Sequence, residues 1–257
     1  MKEKDTTKNQ PKQQGQVTKF RDRNLSYKIS VAVSLLLVIC LTVMIAISAS
    51  IAGKSLSNTV SGEFEGIATE NGLKVQAVID TAANTADIIQ DYVLDKYADY
   101  EKNGYNGATE KSAIYDVELQ EMNKQIETFL LSIASSTVKN NDQIDGVGVF
   151  FEPDAFDPAI KDYTVYVSTD DAAKGTAQSY GAYSSYGSQD YYKNAATSQK
   201  ASFTDPYEDQ GSKMFSASFP IVYNGKTQGV IFVDINIEKF SNLRTTDSKY
   251  PNMYVDI

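Results

Sequence analysis

The sequence predicts an α+β chain: an N-terminal transmembrane helix, a long membrane-exiting helix, a second helix, then a mainly antiparallel sheet. Three observations predict it. Ile29–Ala52 is a 24-residue run without a charge. An apolar stripe recurs at steps of four and three between Val75 and Val93. After residue 145 the helical period gives way to β-branched and aromatic runs bounded by Gly, Pro, Asn and Asp.

The first element follows from charge. Of 24 basic and 33 acidic residues, eight basic and three acidic fall in residues 1–28, so the head carries +5 and the remainder −14. Residues 1–28 are therefore read as a basic cytoplasmic tail. Residues 29–52 are read as a transmembrane helix that spans roughly 36 Å, enough to cross a hydrocarbon core of ~30 Å with some tilt. The basic head stays inside, which puts the lipid bilayer between it and an extracellular body. Cleavage after Ser50-Ile51-Ala52 would demand an unusually long leader. Lipidation of Cys40 is opposed by bulky Val38 and Ile39 before it.

Residues 53–237 are expected to hold the extracellular helices and a ligand-binding lobe. In the long helix, over residues 55–100, Val75, Ile79, Ala82, Ala86, Ile89 and Val93 form a heptad-like stripe. Leu56, Val60, Phe64 and Ile67 extend it toward the membrane, with Gly66 and Gly72 as weak points. The distal half of the stripe is read as core, and the proximal half as the seam of a homodimer. Residues 103–109 read as a turn, followed by a second helix that buries Val117, Met122, Ile126, Phe129, Leu130 and Ile133.

Strands are expected at Gly146–Phe151, Tyr163–Ser168, Phe215–Val222 and Gly229–Ile235, the last two joined by a tight turn at Asn224-Gly225. Between the second and third lies a tyrosine-rich segment with Tyr180, Tyr183, Tyr186, Tyr191, Tyr192 and Tyr207. It reads as a solvated loop or as a pocket lined by aromatic faces. Asp205–Asp209 is a turn or a poor match to a calcium loop. Asp234 ends an apolar strand, where a buried lone carboxylate is costly, so it is expected at an edge, paired, or facing a cation.

Several classes of chemistry are excluded or unsupported. The chain has no histidine, which rules out His-based triads, His-ligated zinc and phosphorelay within it. The acidic body repels nucleic acid. No phosphate-cradling glycine loop follows a strand, so no enzyme, metal or cofactor is implied.

Four features together resemble an extracellular double Cache sensor domain of methyl-accepting chemotaxis receptors. They are Asp190-Tyr191-Tyr192, Thr204–Asp209, Pro220-Ile221 before Asn224-Gly225, and Gly229–Ile235 with Asp234. The resemblance covers roughly residues 30–240 and implies a PAS-like distal lobe. Many members bind amino acids, with an arginine on the carboxylate and a Tyr-x-Asp plus a strand-end Asp on the ammonium. Carried over, these are Tyr191 and Tyr192, Tyr207 and Asp209, and Asp234, with Tyr183 or Tyr186 as a further aromatic contact. The arginine position holds Gln189. Losing a bidentate, charge-assisted contact costs about 1.5–3 kcal/mol, while rings and carboxylates suit a cation. An amine is therefore favoured over an amino acid, in keeping with an amine-sensing branch of the family.

The resemblance also implies a second, membrane-proximal lobe. Residues 238–257 are read as its truncated start, with Tyr250–Ile257 as its first strand. The cytoplasmic output module lies outside this chain. A chemoreceptor output leads; input to a histidine kinase or diguanylate cyclase is the alternative, and a membrane-tethered structural protein comes last.

Overall fold

The computed structural model describes residues 23–104, 107–209, 211–240, 243 and 249–250. Residues 1–22 of the basic tail, Tyr105 and Asn106 of the expected turn, and residues 251–257 of the expected second-lobe strand lie outside this set. The chain divides into two compact units, residues 1–65 and 66–257.

Helix α1 runs from Leu25 to Asn103 without a break. It contains an 18-residue window of mean hydropathy 2.8, none of it buried, and is the one helix among the described residues long and apolar enough to cross a membrane. Gly53, Gly66 and Gly72 do not interrupt it. A glycine inside a helix costs only about 1 kcal/mol, which the neighbouring turns absorb.

Within the second unit the expected stripe is core over its distal part. Ala82, Ala86, Ile89 and Val93 are fully buried, with Val75 and Ile79 packed at the margin. The side chain of Gln90 donates to the Pro220 carbonyl at 2.7 Å, which pins α1 to the sheet. The Thr85 and Thr137 hydroxyls meet at 3.1 Å and pin it to the second helix.

That second helix, α2, is Glu121–Asn140. It starts later than the sequence suggests. Strands β1 (Thr109–Lys111) and β2 (Glu118–Gln120) form a two-stranded sheet first, and Val117 belongs to the connection between them. The Val117 carbonyl accepts from Ser112 N at 2.9 Å, so this backbone is committed to the hairpin. Buried Asp157 closes the helix entrance by accepting from Gln120 N (2.9 Å) and Asn123 Nδ2 (2.7 Å). Glu127, fully buried on α2, takes Lys124 Nζ at 2.8 Å, Ser112 Oγ at 2.5 Å and Ala113 N at 2.8 Å. A buried carboxylate survives only with this degree of pairing.

The main sheet comprises β3 (Ile144–Phe151), β4 (Thr164–Ser168), β5 (Ser202–Phe203), β6 (Tyr207–Asp209), β7 (Ser212–Tyr223) and β8 (Lys226–Asn236). Its order is β4-β3-β8-β7, with β5 and β6 both pairing the outer edge of β7, and every pairing is antiparallel. The β7–β8 hairpin turns at Asn224-Gly225 with φ of 50° and 76°. Two consecutive positive φ values match the right-handed twist of the strands, and Asn-Gly adopts them readily.

The tyrosine-rich segment is not an open loop. It folds into α3 (Thr169–Lys174), α4 (Tyr183–Tyr186) and α5 (Asp190–Ser198). Ser168 and Asp171 start α3 with a reciprocal capping box. Helices α1 and α2 cover one face of the sheet, and α5 packs on β7 and β8 from the other.

Candidate functional site

The strand period of two assigns the faces. On β3, Val147, Val149 and Phe151 point to the helical core, while Gly146, Gly148 and Phe150 point the other way. Gly146 lies between Ser168 of β4 and Asp234 of β8, and Gly148 lies between Tyr166 and Phe232. A Cβ on Gly146 would stand 2.0 Å from the Tyr166 hydroxyl, and one on Gly148 would stand 2.1 Å from the Phe232 ring. The two glycines thus leave the space into which those rings lie down, 6.1 Å apart and nearly parallel at 23°.

Asp234 sits at the end of this floor. It is on an internal strand, not an edge, and only 5% exposed. Three hydroxyls pair it. Ser216, directly opposite on β7, donates to Oδ1 at 2.6 Å; Tyr207 donates to Oδ1 at 3.2 Å; Tyr166 donates to Oδ2 at 2.8 Å. Tyr207 reaches it because the 204–209 segment is stitched to β7: Ser216 N donates to Thr204 Oγ1 at 2.9 Å and Thr204 N to the Ser216 carbonyl at 3.1 Å. Within that segment Tyr207–Asp209 is a strand paired with β7.

Burial is the largest influence on Asp234 and pushes its carboxyl up to about 6; the three hydroxyls hold it down, and neighbouring Asp209 raises it. The Tyr166 and Tyr207 phenols are driven well above their usual value by burial and by the Asp234 charge, so both remain neutral donors.

Walls rise around this carboxylate to form a half-open cavity of about 560 Å³. Gln189, Tyr191, Tyr207, Asp209 and Asp234, all picked out from the sequence, line it together. Tyr183 and Tyr192, assigned to the site by resemblance, do not line it. Neighbouring residues on α5 differ by about 100° around the axis, so when Tyr191 faces the cavity Tyr192 cannot. Tyr192 is fully buried, donating to Glu152 Oε1 at 2.8 Å. Tyr183 packs edge-on against Tyr186 and Tyr192, over Gly187. Tyr186 is core as well, its hydroxyl on the Phe151 carbonyl at 2.8 Å.

The sequence reading missed two rings, Tyr166 and Phe232, which line the cavity with Tyr180, Tyr191 and Tyr207 of the tyrosine-rich segment. Tyr180 is held there by its N–H on Thr164 Oγ1 at 2.7 Å. The other charged residues of the lining are Asp190, Asp205 and Glu208, so five acidic residues border the space and, among the described residues, no lysine or arginine does. Among the described residues no three His, Cys, Asp or Glu side chains converge as ligands for a metal ion. The arrangement suits an organic cation: rings to cover it, a buried carboxylate to anchor it, and a negative field at the mouth.

Residues 130–242 match the family described as methyl-accepting chemotaxis protein-like, first PDC sensor domain. No curated protein matches the chain. Among solved structures, it is similar to the extracellular domains of two proteins described as histidine kinases. One is mmHK1S-Z3 (21% identity, 68% of this chain and 58% of that one, TM-score 0.46). The other is mmHK1S-Z2 (23%, 64% and 64%, 0.41). A third is the ligand-binding domain of Campylobacter jejuni chemoreceptor Tlp3 in complex with L-norvaline (16%, 70% and 69%, 0.36). The chain spans less than two thirds of the length of the first two.

Proposed function

Since residues 130–242 match the methyl-accepting chemotaxis protein-like first PDC sensor domain family, we propose that this chain is the extracytoplasmic sensing part of a transmembrane chemoreceptor whose ligand is an amine. One observation carries the ligand class: five acidic residues and five aromatic residues line the cavity, and no lysine or arginine among the described residues does. An amino acid would bring a carboxylate into that field, where Gln189 and the lining hydroxyls are neutral donors and, among the described residues, no counter-charge stands. A neutral amide forgoes the charge-assisted fork of an arginine, a contact worth about 1.5–3 kcal/mol.

The basic head supports an N-terminus in the cytoplasm with the cavity outside. Leu56, exposed on the proximal stripe, supports a homodimer seam there, whereas Ile67 at the end of that stripe is already buried within the chain. Ligand would bias the sensor between two states, and α1 would carry the difference inward as a small displacement.

Isothermal titration of the full chain in lipid nanodiscs tests the ligand class. n-Butylamine is expected to bind at least about tenfold tighter than L-alanine; tighter binding of L-alanine sinks the reading. Gln189→Arg supplies the missing counter-charge and should raise L-alanine affinity by about tenfold or more while weakening the amine. An unchanged preference would mean that position 189 does not meet the ligand.

A further inference from the structure

Tyr166 is tied to three parts of the cavity at once. Its ring occupies the space left by Gly146. Its hydroxyl donates to Asp234 Oδ2 at 2.8 Å. Its backbone N–H and carbonyl exchange bonds of 2.9 Å with Gln178, two residues before Tyr180. Whereas Oδ1 of Asp234 has two donors, Ser216 and Tyr207, Oδ2 has Tyr166 alone among the described residues.

The charged and titratable groups facing Asp234 offer no substitute. Asp209 and Tyr207 approach from β6, and Tyr180 and Tyr191 from the cavity wall. None is a cation. The orientation of the carboxylate and its survival as an anion in a buried place therefore depend on hydroxyl donors.

We propose that Tyr166 is a positioning residue for cation recognition: its hydroxyl holds Oδ2 of Asp234 and presents that carboxylate to the ligand. The role rests on the reading that the ligand is an amine, but it acts on Asp234 before any ligand arrives. Tyr166→Phe keeps the ring and removes only the donor.

In the full chain in nanodiscs, the Asp234 carboxyl is followed by ¹³C NMR of aspartate-labelled protein, assigned with Asp234→Asn. The Phe variant should move the Asp234 midpoint up by about one pH unit. Its n-butylamine affinity should then fall about fivefold at pH 6 but less than about twofold at pH 8, where the carboxylate is ionised regardless. Gly146→Ala, whose added Cβ would displace the hydroxyl while residue 166 stays a tyrosine, should reproduce the pattern and serves if the Phe variant fails to fold. An unmoved midpoint, or an equal loss at both pH values, overturns the proposal. Wild-type protein that ignores n-butylamine would overturn the amine reading instead, leaving the midpoint to decide the role of Tyr166.

Discussion

Asp234→Asn is expected to abolish amine binding and, at the same time, to make the fold more stable at neutral pH. Both effects come from one fact. The carboxyl is 5% exposed and is raised from its ordinary 3.8 to about 6, with burial as the leading cause. A charge kept in such a place is costly to the folded state. A rise of roughly two pKa units corresponds to about 3 kcal/mol at neutral pH, as an order of magnitude. Asparagine removes the charge, keeps one acceptor for Ser216 and Tyr207, and turns an amide donor toward the Tyr166 hydroxyl, which can accept it. The guest loses its only buried anion, so affinity for n-butylamine should fall by at least about a hundredfold. Thermal unfolding should show the gain at pH 7.5 and little of it at pH 4.5, where wild-type Asp234 already carries a proton. A variant that binds normally, or is less stable at pH 7.5, would remove Asp234 from the centre of the site. Instability stored at a functional residue is a common trade.

The order of helices and strands could be read from the sequence because hydrophobic periodicity is a local signal. Ala82, Ala86, Ile89 and Val93 announce a helix face within four turns, and Asn224-Gly225 announces a hairpin within two residues. The start of α2 could not be placed, since Val117 fits a helical stripe and only its pairing with Ser112 takes it out. The site divides the same way. Gln189, Tyr191, Tyr207, Asp209 and Asp234 stand in short motifs whose spacing can be compared with a known family. Tyr166 and Ser216 acquire meaning only from register. They lie 68 and 18 positions from Asp234, and no pattern near either one reports the pairing that joins them. Gly146 and Gly148 look like weak strand residues until Tyr166 and Phe232 are seen lying over them. Tyr183 and Tyr192 were drawn to the site by motif, whereas the helical phase of α5 and the packing of α4 send them to the core.

The affinity of the cavity for an amine should rise with pH between about 5 and 7, the reverse of what a carboxylate ligand would show. Asp234 carries the proton below about 6 and the charge above it. An ammonium recognises the charged form, so each pH unit below the midpoint weakens binding about tenfold, and above it the affinity levels off. The same proton sets the sign for folding. The unfolded carboxyl loses its proton near 3.8 and the folded one near 6, so the contribution of Asp234 to stability is complete below the first value and is lost as pH rises through the second. Ligand and fold therefore oppose each other over this proton: the fold favours keeping it, and the cation favours expelling it. Titrations at pH 6 in two buffers of different ionisation heat should record about half a proton released per amine bound. An affinity flat from pH 5 to pH 7, with no proton released, would place the ligand's charge somewhere other than on Asp234, and one that tightens toward acid would give the cavity to an anion.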